Sequence, residues 1–128
     1  MDLKELFEEY MRYPAFANTL LSDVNQIGDF GDGPLHLASR RGCLAEMQVL
    51  LDNKADVGLR GEFQSTPLHG ATLMGKLNAV KLLLKYGADP FAKDIDGRTC
   101  IDFARTNFED EQSENNRKIL FLLKENHK

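Results

Sequence analysis

A repeat of 33 residues is the sequence feature that most limits how this chain of 128 residues can fold. Three related segments, GPLHLASRRG, TPLHGATLMG and TCIDFARTNF, begin at Gly33, Thr66 and Thr99, each 33 residues after the last. The segments that follow them are also in register, because QVLLDNKAD ends at Asp56 and KLLLKYGAD ends at Asp89. A fixed period of this length is typical of a solenoid, in which each repeat packs only against its neighbours.

Within each repeat, the residues suited to helix starts and turns predict two short helices joined by a tight turn. Pro34 and Pro67 lie where a first helix would begin, a position that tolerates the missing backbone N–H of proline. Thr66 is placed to cap that helix, since its side chain can accept a hydrogen bond from a free backbone N–H. Gly42 and Gly75 can adopt the left-handed conformation that the following turn requires.

The apolar residues recur at helical spacing and predict a core shared between repeats. A helix pair of this size buries one face only against its neighbours, so the stack is the folding unit. Gly87 is expected to end the second helix of one repeat, and Lys54 takes the equivalent position in the repeat before it. The predicted core positions are Leu35, Ala38, Leu68 and Ala71 in the first helices, and Val49, Leu50, Leu51, Val80, Leu82, Leu83 and Leu84 in the second helices.

Both ends of the chain have the character of capping segments. Residues 2–12 predict an amphipathic helix, and Pro14 is expected to end it and to open a second helix through Phe16, Leu20 and Leu21. At the other end, residues 99–105 predict the first helix of another repeat. Residues 119–123 belong to a closing helix, whose remaining residues are polar. We therefore expect one domain, with capping helices at 1–25, repeats at 26–58 and 59–91, and a capping repeat at 92–128 with an insertion near 108–116.

These features together resemble the ankyrin family, whose repeat has TPLH near its start and GAD near its end. The resemblance covers residues 23–108 well and is best in the second repeat, which has TPLH at 66–69 and GAD at 87–89. It implies an all-α solenoid of about four stacked helix pairs, including degenerate caps. It also implies that His36 and His69 are structural residues that bridge backbone groups of adjacent repeats.

The charge and apolar content of the chain restrict its class of partner. The net charge is −4, which argues against nucleic-acid or anionic-membrane binding because both need a basic face. Residues 1–12 contain four acids and precede no apolar run, so we expect neither a secretory signal nor a membrane span. The sequence predicts a cytoplasmic protein that is monomeric when free.

The sequence favours no catalytic, metal or cofactor site. Cys43 and Cys100 belong to different repeats and are expected to be small apolar fillers rather than nucleophiles. Residues 28–33, GDFGDG, lack the GK[ST] ending of a phosphate loop and lie where a hairpin turn belongs. The acidic run at 109–114 lacks calcium-loop spacing and favours a solvated loop, and His127 is expected in a frayed terminus.

The resemblance implies a partner-binding surface on the hairpin tips and the outer side of the first helices, which together form a concave face. Phe30 and Phe63 lie one period apart, so we expect them on neighbouring hairpins, either as interface anchors or as mutual shields for the turns. The positions assigned by register are Ile27, Asp29, Phe30, Asp32, Arg40, Arg41, Arg60, Glu62, Phe63, Ser65, Leu73, Met74, Lys93, Ile95, Asp96, Arg98, Thr106 and Asn107.

Three classes of function are compatible with these sequence features. The first is a non-catalytic module that binds and occludes a partner protein, such as a toxin or an enzyme; a bacterial immunity protein is one concrete form. The second is a structural adaptor that joins two proteins and uses a second surface, for which the 108–116 insertion is a candidate. The third, an enzyme, would need a convergent acid, base or nucleophile cluster, which the sequence does not offer.

Overall fold

The computed structural model describes residues 1–106 and 113–125, and every regular element within these residues is helical. The predicted all-α architecture is therefore confirmed. The seven α-helices are α1 (Leu3–Tyr10), α2 (Pro34–Arg41), α3 (Leu44–Asp52), α4 (Pro67–Leu73), α5 (Leu77–Lys85), α6 (Cys100–Thr106) and α7 (Ser113–Glu125), with short 3₁₀ turns at Pro14–Phe16 and Glu62–Gln64.

The helices form antiparallel pairs that stack in two rows. Helix α2 pairs with α3, α4 with α5, and α6 with α7. The first helices of the pairs, α2, α4 and α6, make one row, while α3, α5 and α7 make the other, and α1 packs on α3. Each pair therefore buries its apolar face against the next pair, as expected of a solenoid.

The residues predicted at helix starts and turns have these roles in the structure. Thr66 caps α4 by accepting a hydrogen bond from the backbone N–H of His69. Gly42 and Gly75 have φ angles of 67° and 66° at the turns that join the paired helices. Lys54 also adopts a left-handed conformation, with a φ of 71°, at the position where the next repeat has glycine. A side chain in that conformation is strained, so this turn costs stability that a glycine would not.

The core is continuous from α1 to α7. The predicted alanine and leucine positions of the first helices are all buried, and the second helices contribute their central leucines. The closing helix adds two residues that are completely buried. The main core residues are Leu6, Tyr10, Phe16, Leu35, Ala38, Met47, Leu50, Leu68, Ala71, Val80, Leu83, Ile119 and Leu123.

Polar contacts attach the amino-terminal helix to the stack. The buried hydroxyl of Tyr10 donates a hydrogen bond of 2.6 Å to Oε1 of Glu46 in α3. The same carboxylate oxygen accepts a bond of 2.8 Å from Arg41, whose guanidinium lies 5.2 Å from the ring centre of Tyr13. These contacts cover the open side of the first helix pair, which is the role of a cap.

The prediction of a second amino-terminal helix through Leu20 and Leu21 is wrong. After the 3₁₀ turn the chain forms an irregular loop, and Leu20 is 80% exposed. Two polar side chains satisfy this backbone: Asp29 accepts from the N–H of Asn18, and Gln26 bonds the N–H of Ser22 and the carbonyl of Leu20. Such side-chain bonds compete with helix formation.

The closing helix begins earlier than expected. Helix α7 starts at Ser113, so residues 113–116 of the predicted insertion belong to its first turn. Residues 107–112, with most of the acidic run, lie outside the described residues, as does His127. Among the described residues, no helix combines the length and apolar content needed to cross a membrane.

Candidate functional site

Three equivalent hairpins precede α2, α4 and α6, and they define one edge of the molecule. They are residues 28–32, 61–65 and 94–98, spaced by the 33-residue period. In each hairpin the N–H of the first residue donates to the carbonyl of the last, over 2.8, 2.8 and 2.9 Å. The glycine-rich segment is therefore a hairpin turn, as predicted, rather than a phosphate loop.

Hydrogen bonds join these hairpins into a row. Oδ1 of Asp32 in the first hairpin accepts from the N–H of Glu62 in the second, over 2.8 Å. The N–H of Ile95 in the third hairpin donates to the carbonyl of Phe63, also over 2.8 Å. Because each hairpin is held by the next, the row presents its side chains in fixed relative positions.

His36 and His69 hold this row to the first helices. Nδ1 of each ring accepts an N–H at its own helix start, from Gly33 and Thr66 respectively, over 3.1 Å. Nε2 therefore carries the proton and donates to a carbonyl of the next repeat, that of Ser65 for His36. The structural role implied for these histidines is confirmed. Burial lowers the pKa of both rings, so both are neutral at pH 7.

The second hairpin has an unusual backbone. Phe63 and Gln64 both have positive φ angles, 57° and 59°, although neither is glycine. The first and third hairpins use Gly31 and Gly97 at the position of Gln64. A bulky residue in this region is a true conformational outlier, and such strain is concentrated at functional sites. The side chain of Phe63 on this turn is 65% exposed.

A groove of about 260 Å³ lies beside Phe63, across the first-helix row. It exists because the position after His69 is Gly70, whereas Leu37 and Phe103 occupy the equivalent positions of the neighbouring repeats. A Cβ atom on Gly70 would lie only 2.8 Å from Cγ of Arg40. The lining residues of the groove are His36, Arg40, Glu62, Phe63, Ser65, Thr66, His69, Gly70, Leu73, Asp94, Arg98 and Phe103.

The basic residues at this groove are already neutralised by the chain itself. Arg40 contacts Asp32 over 2.7 Å. Arg98 contacts Asp94 and Asp96 over 3.3 Å each, and its guanidinium lies 5.0 Å from the ring centre of Phe103. The groove therefore offers apolar walls and paired charges rather than a free cationic site.

The structure brings together only part of the predicted partner-binding set. Six of those residues, Arg40, Glu62, Phe63, Ser65, Leu73 and Arg98, line the groove. Phe30, Ile27, Ile95, Asp29, Asp96, Arg60 and Lys93 are exposed along the hairpin row or just before it. Sequence reasoning missed Gly70 and Phe103, although the contrast of glycine with larger residues at one repeat position was a usable signal.

The other predicted residues lie elsewhere. Asp32, expected on the partner-binding surface, is only 3% exposed because its carboxylate joins two hairpins and pairs with Arg40. Arg41 pairs with Glu46 at the amino-terminal cap. Met74 lines a different recess, at the turn between α4 and α5, and Thr106 ends α6. Asn107 lies outside the described residues.

The titratable groups offer little nucleophilic chemistry. Burial raises the pKa of the Cys100 thiol to about 12, so it stays protonated at neutral pH. Cys43 is half-buried at the start of α3. In residues 1–106 and 113–125, no cluster of three or more histidine, cysteine or acidic side chains could hold a metal ion.

Comparison with known proteins identifies the repeat. The sequence profile of the family described as ankyrin repeats (3 copies) matches residues 7–94, and the structure extends the same stack through α6 and α7. Among curated proteins, none matches this sequence. Ankyrin repeats are protein–protein interaction modules and are generally non-catalytic scaffolds. The chain therefore belongs to the ankyrin-repeat family.

Proposed function

We propose that this chain binds a folded partner protein through its hairpin face and inhibits that partner by occluding it. The hairpin face is defined here as the three hairpins together with the groove around Gly70. The observation that supports the proposal most strongly is Phe63, an exposed aromatic residue on a strained backbone beside an apolar groove. Aromatic residues next to recesses are the usual anchors of protein interfaces.

The apolar exposure at this face favours an interface over mutual shielding of the turns. Phe30, Phe63 and Ile95 follow one another along the hairpin row, and each is more than half exposed. Leu73, which is 53% exposed, lines the same groove as Phe63. Complete burial of an exposed side chain of this size contributes about 1.5–3 kcal/mol, and covering the exposed part of each of these side chains would contribute roughly half of that.

The charges suggest how a partner would be oriented. Since Arg40 and Arg98 are held by acids of the same chain, the groove favours insertion of an apolar side chain from the partner. Glu62 is an exposed acid among the lining residues, and Asp29 and Lys93 are exposed on or beside the hairpin row, so a partner with complementary charges would be selected. Rim charges of both signs contribute more to orientation and association rate than to affinity.

Alanine substitutions test this surface. A partner would first be captured from native cells and identified by mass spectrometry, and its affinity then measured by calorimetry. We expect Phe63→Ala and Leu73→Ala each to weaken binding by more than ~1 kcal/mol. Met74→Ala should have a smaller effect, because Met74 lines a separate recess. Leu20→Ala is the control, since Leu20 is 80% exposed but lies in the amino-terminal loop, outside the groove. An unchanged affinity for the Phe63→Ala/Leu73→Ala double variant would show that this face is not the interface.

Occlusion requires its own assay. If the partner is an enzyme or a toxin, its activity should fall in proportion to added chain and reach a minimum at equal stoichiometry. In the concrete form of an immunity protein, co-expression should rescue cells from the toxin, and the double variant should not. A partner that stays fully active in the complex while a second protein joins it would support the adaptor role instead.

A further inference from the structure

The second-helix row contains two neighbouring recesses that the hairpin face does not include. One lies between α3 and α5 and measures about 360 Å³; the other lies between α5 and α7 and measures about 350 Å³. Lys81 of α5 lines both, so the two recesses form one continuous strip, here called the outer strip. Its lining residues are Leu44, Gln48, Leu77, Asn78, Lys81, Leu82, Lys85, Arg117, Lys118, Phe121 and Leu122.

The outer strip is basic although the whole chain has a net charge of −4. Four of its lining residues are cationic, and no aspartate or glutamate of the described chain lines either recess. Two acids contact its lining residues: Glu114 contacts Lys118 over 3.4 Å, and Asp52 accepts a hydrogen bond from Gln48. Within residues 1–106 and 113–125, Lys81 and Lys85 have no ion-pair partner. Among the described residues, the positive charges of these two lysines are therefore not compensated by an ion pair.

The strip also exposes apolar surface beside these cations. Phe121 is 64% exposed, and Leu44 is 41% exposed at the far end of the strip. A terminal helix in contact with water alone would be expected to show polar residues on this side. Cationic side chains can pair with acids of another molecule, and the exposed aromatic residue and the recesses can contact its apolar side chains. The strip is therefore suited to an acidic segment that also carries apolar residues.

We infer that the outer strip is a second docking surface, which binds an acidic, amphipathic segment of a protein partner. The acidic side chains of that segment would pair with Lys81 and Lys85, and its apolar side chains would enter the two recesses. Anionic lipid is the less favourable occupant, because a chain of net charge −4 is repelled by such a membrane as a whole. The inference does not depend on the hairpin face, so the two surfaces can be tested separately.

A pair of synthetic peptides provides the test. The first is about 12 residues long, roughly 18 Å as a helix, with pairs of glutamates separated by leucine and phenylalanine; the second has glutamine in place of each glutamate. Each is titrated into the ¹⁵N-labelled full chain and followed by NMR. We expect shifts centred on Lys81, Lys118 and Phe121 with the glutamate peptide only, and weaker binding as salt rises from about 50 to about 300 mM.

Matched variants make the result specific. Lys81→Glu should weaken glutamate-peptide binding about 10-fold, while Lys93→Glu, with the same net charge on the opposite face, should not. Phe121→Ala should weaken it about 5-fold, while Phe63→Ala should have no effect. All four residues are exposed, so none of these changes should prevent folding.

Several outcomes would overturn the inference. They are equal binding of the glutamine peptide, no binding of the glutamate peptide at about 1 mM, or no loss of affinity in Lys81→Glu. Sedimentation showing a dimer that Phe121→Ala dissociates would assign the strip to a second copy of this chain. Binding to vesicles containing phosphatidylserine that Lys81→Glu abolishes, without peptide binding, would assign it to a membrane.

Discussion

Replacement of Asp32 by alanine should markedly lower the stability of the chain. The carboxylate of Asp32 is buried and receives two hydrogen bonds, from the N–H of Glu62 over 2.8 Å and from Arg40 over 2.7 Å. The variant loses both at once, and it disconnects the first hairpin from the second. The expected effect is therefore on the row as a whole and not on one turn.

The magnitude follows from the exposure of each partner. A hydrogen bond to a charged acceptor contributes about 1.5–3 kcal/mol, and we apply this range to the partly buried contact from the N–H of Glu62. The Arg40 side chain is 37% exposed, so its ion pair is partly screened and should contribute no more than about 1 kcal/mol. We therefore expect Asp32→Ala to reduce the free energy of unfolding by about 2–4 kcal/mol, a large share of the stability of a small domain.

Urea unfolding followed by far-ultraviolet circular dichroism measures this difference. Asp32→Asn keeps a neutral acceptor for the Glu62 N–H and should lose about 1–2 kcal/mol. Asp96→Ala is the control, because Asp96 makes an exposed ion pair in the third hairpin and should lose less than about 1 kcal/mol. If Asp32→Ala proves no less stable than Asp96→Ala, the hairpins are not joined as described.

Three further changes test other parts of the account. Lys54→Gly should raise the free energy of unfolding by about 0.5–1 kcal/mol, since it relieves a left-handed side chain; a lower urea midpoint would contradict this. Tyr10→Phe should lower it by about 1.5–3 kcal/mol, because the buried carboxylate of Glu46 loses a donor, and calorimetric melting would detect the loss. Burial lowers the pKa of His36 and His69 from 6.5, so below that pH the unfolded chain binds more protons than the folded chain. The free energy of unfolding should thus fall as the pH is lowered from about 7 to about 5, by at most about 1.4 kcal/mol per pH unit for each ring. Equal urea midpoints at the two pH values would contradict this direction.

The sequence predicted those parts of the fold that depend on periodic, local signals. Proline at a helix start, threonine at a cap and glycine at a turn act through their own backbone, so Pro67, Thr66 and Gly75 predicted α4 and its turn correctly. The bridging histidines were predicted from the family resemblance rather than from composition. The fold class could be predicted because every repeat restates the same pattern.

Features that depend on a contact between residues that are separated in the sequence could not be predicted in the same way. Asp29 and Gln26 replace an expected helix with a loop by bonding backbone groups several residues away. The burial of Asp32 follows from contacts with the next hairpin. The groove depends on a missing side chain at Gly70, which becomes meaningful only when Arg40 and Phe63 are placed around it.

The hairpin face is tested most directly by hydrogen exchange of the complete chain, alone and in complex with the partner captured from native cells. We predict slower exchange on binding at residues 61–65 and 70–75, which contain the strained hairpin and the end of α4, and loss of this protection in Phe63→Ala/Leu73→Ala. Protection confined to α1, or to α5 and α7, with none at the second hairpin, would contradict the proposal that this face binds the partner.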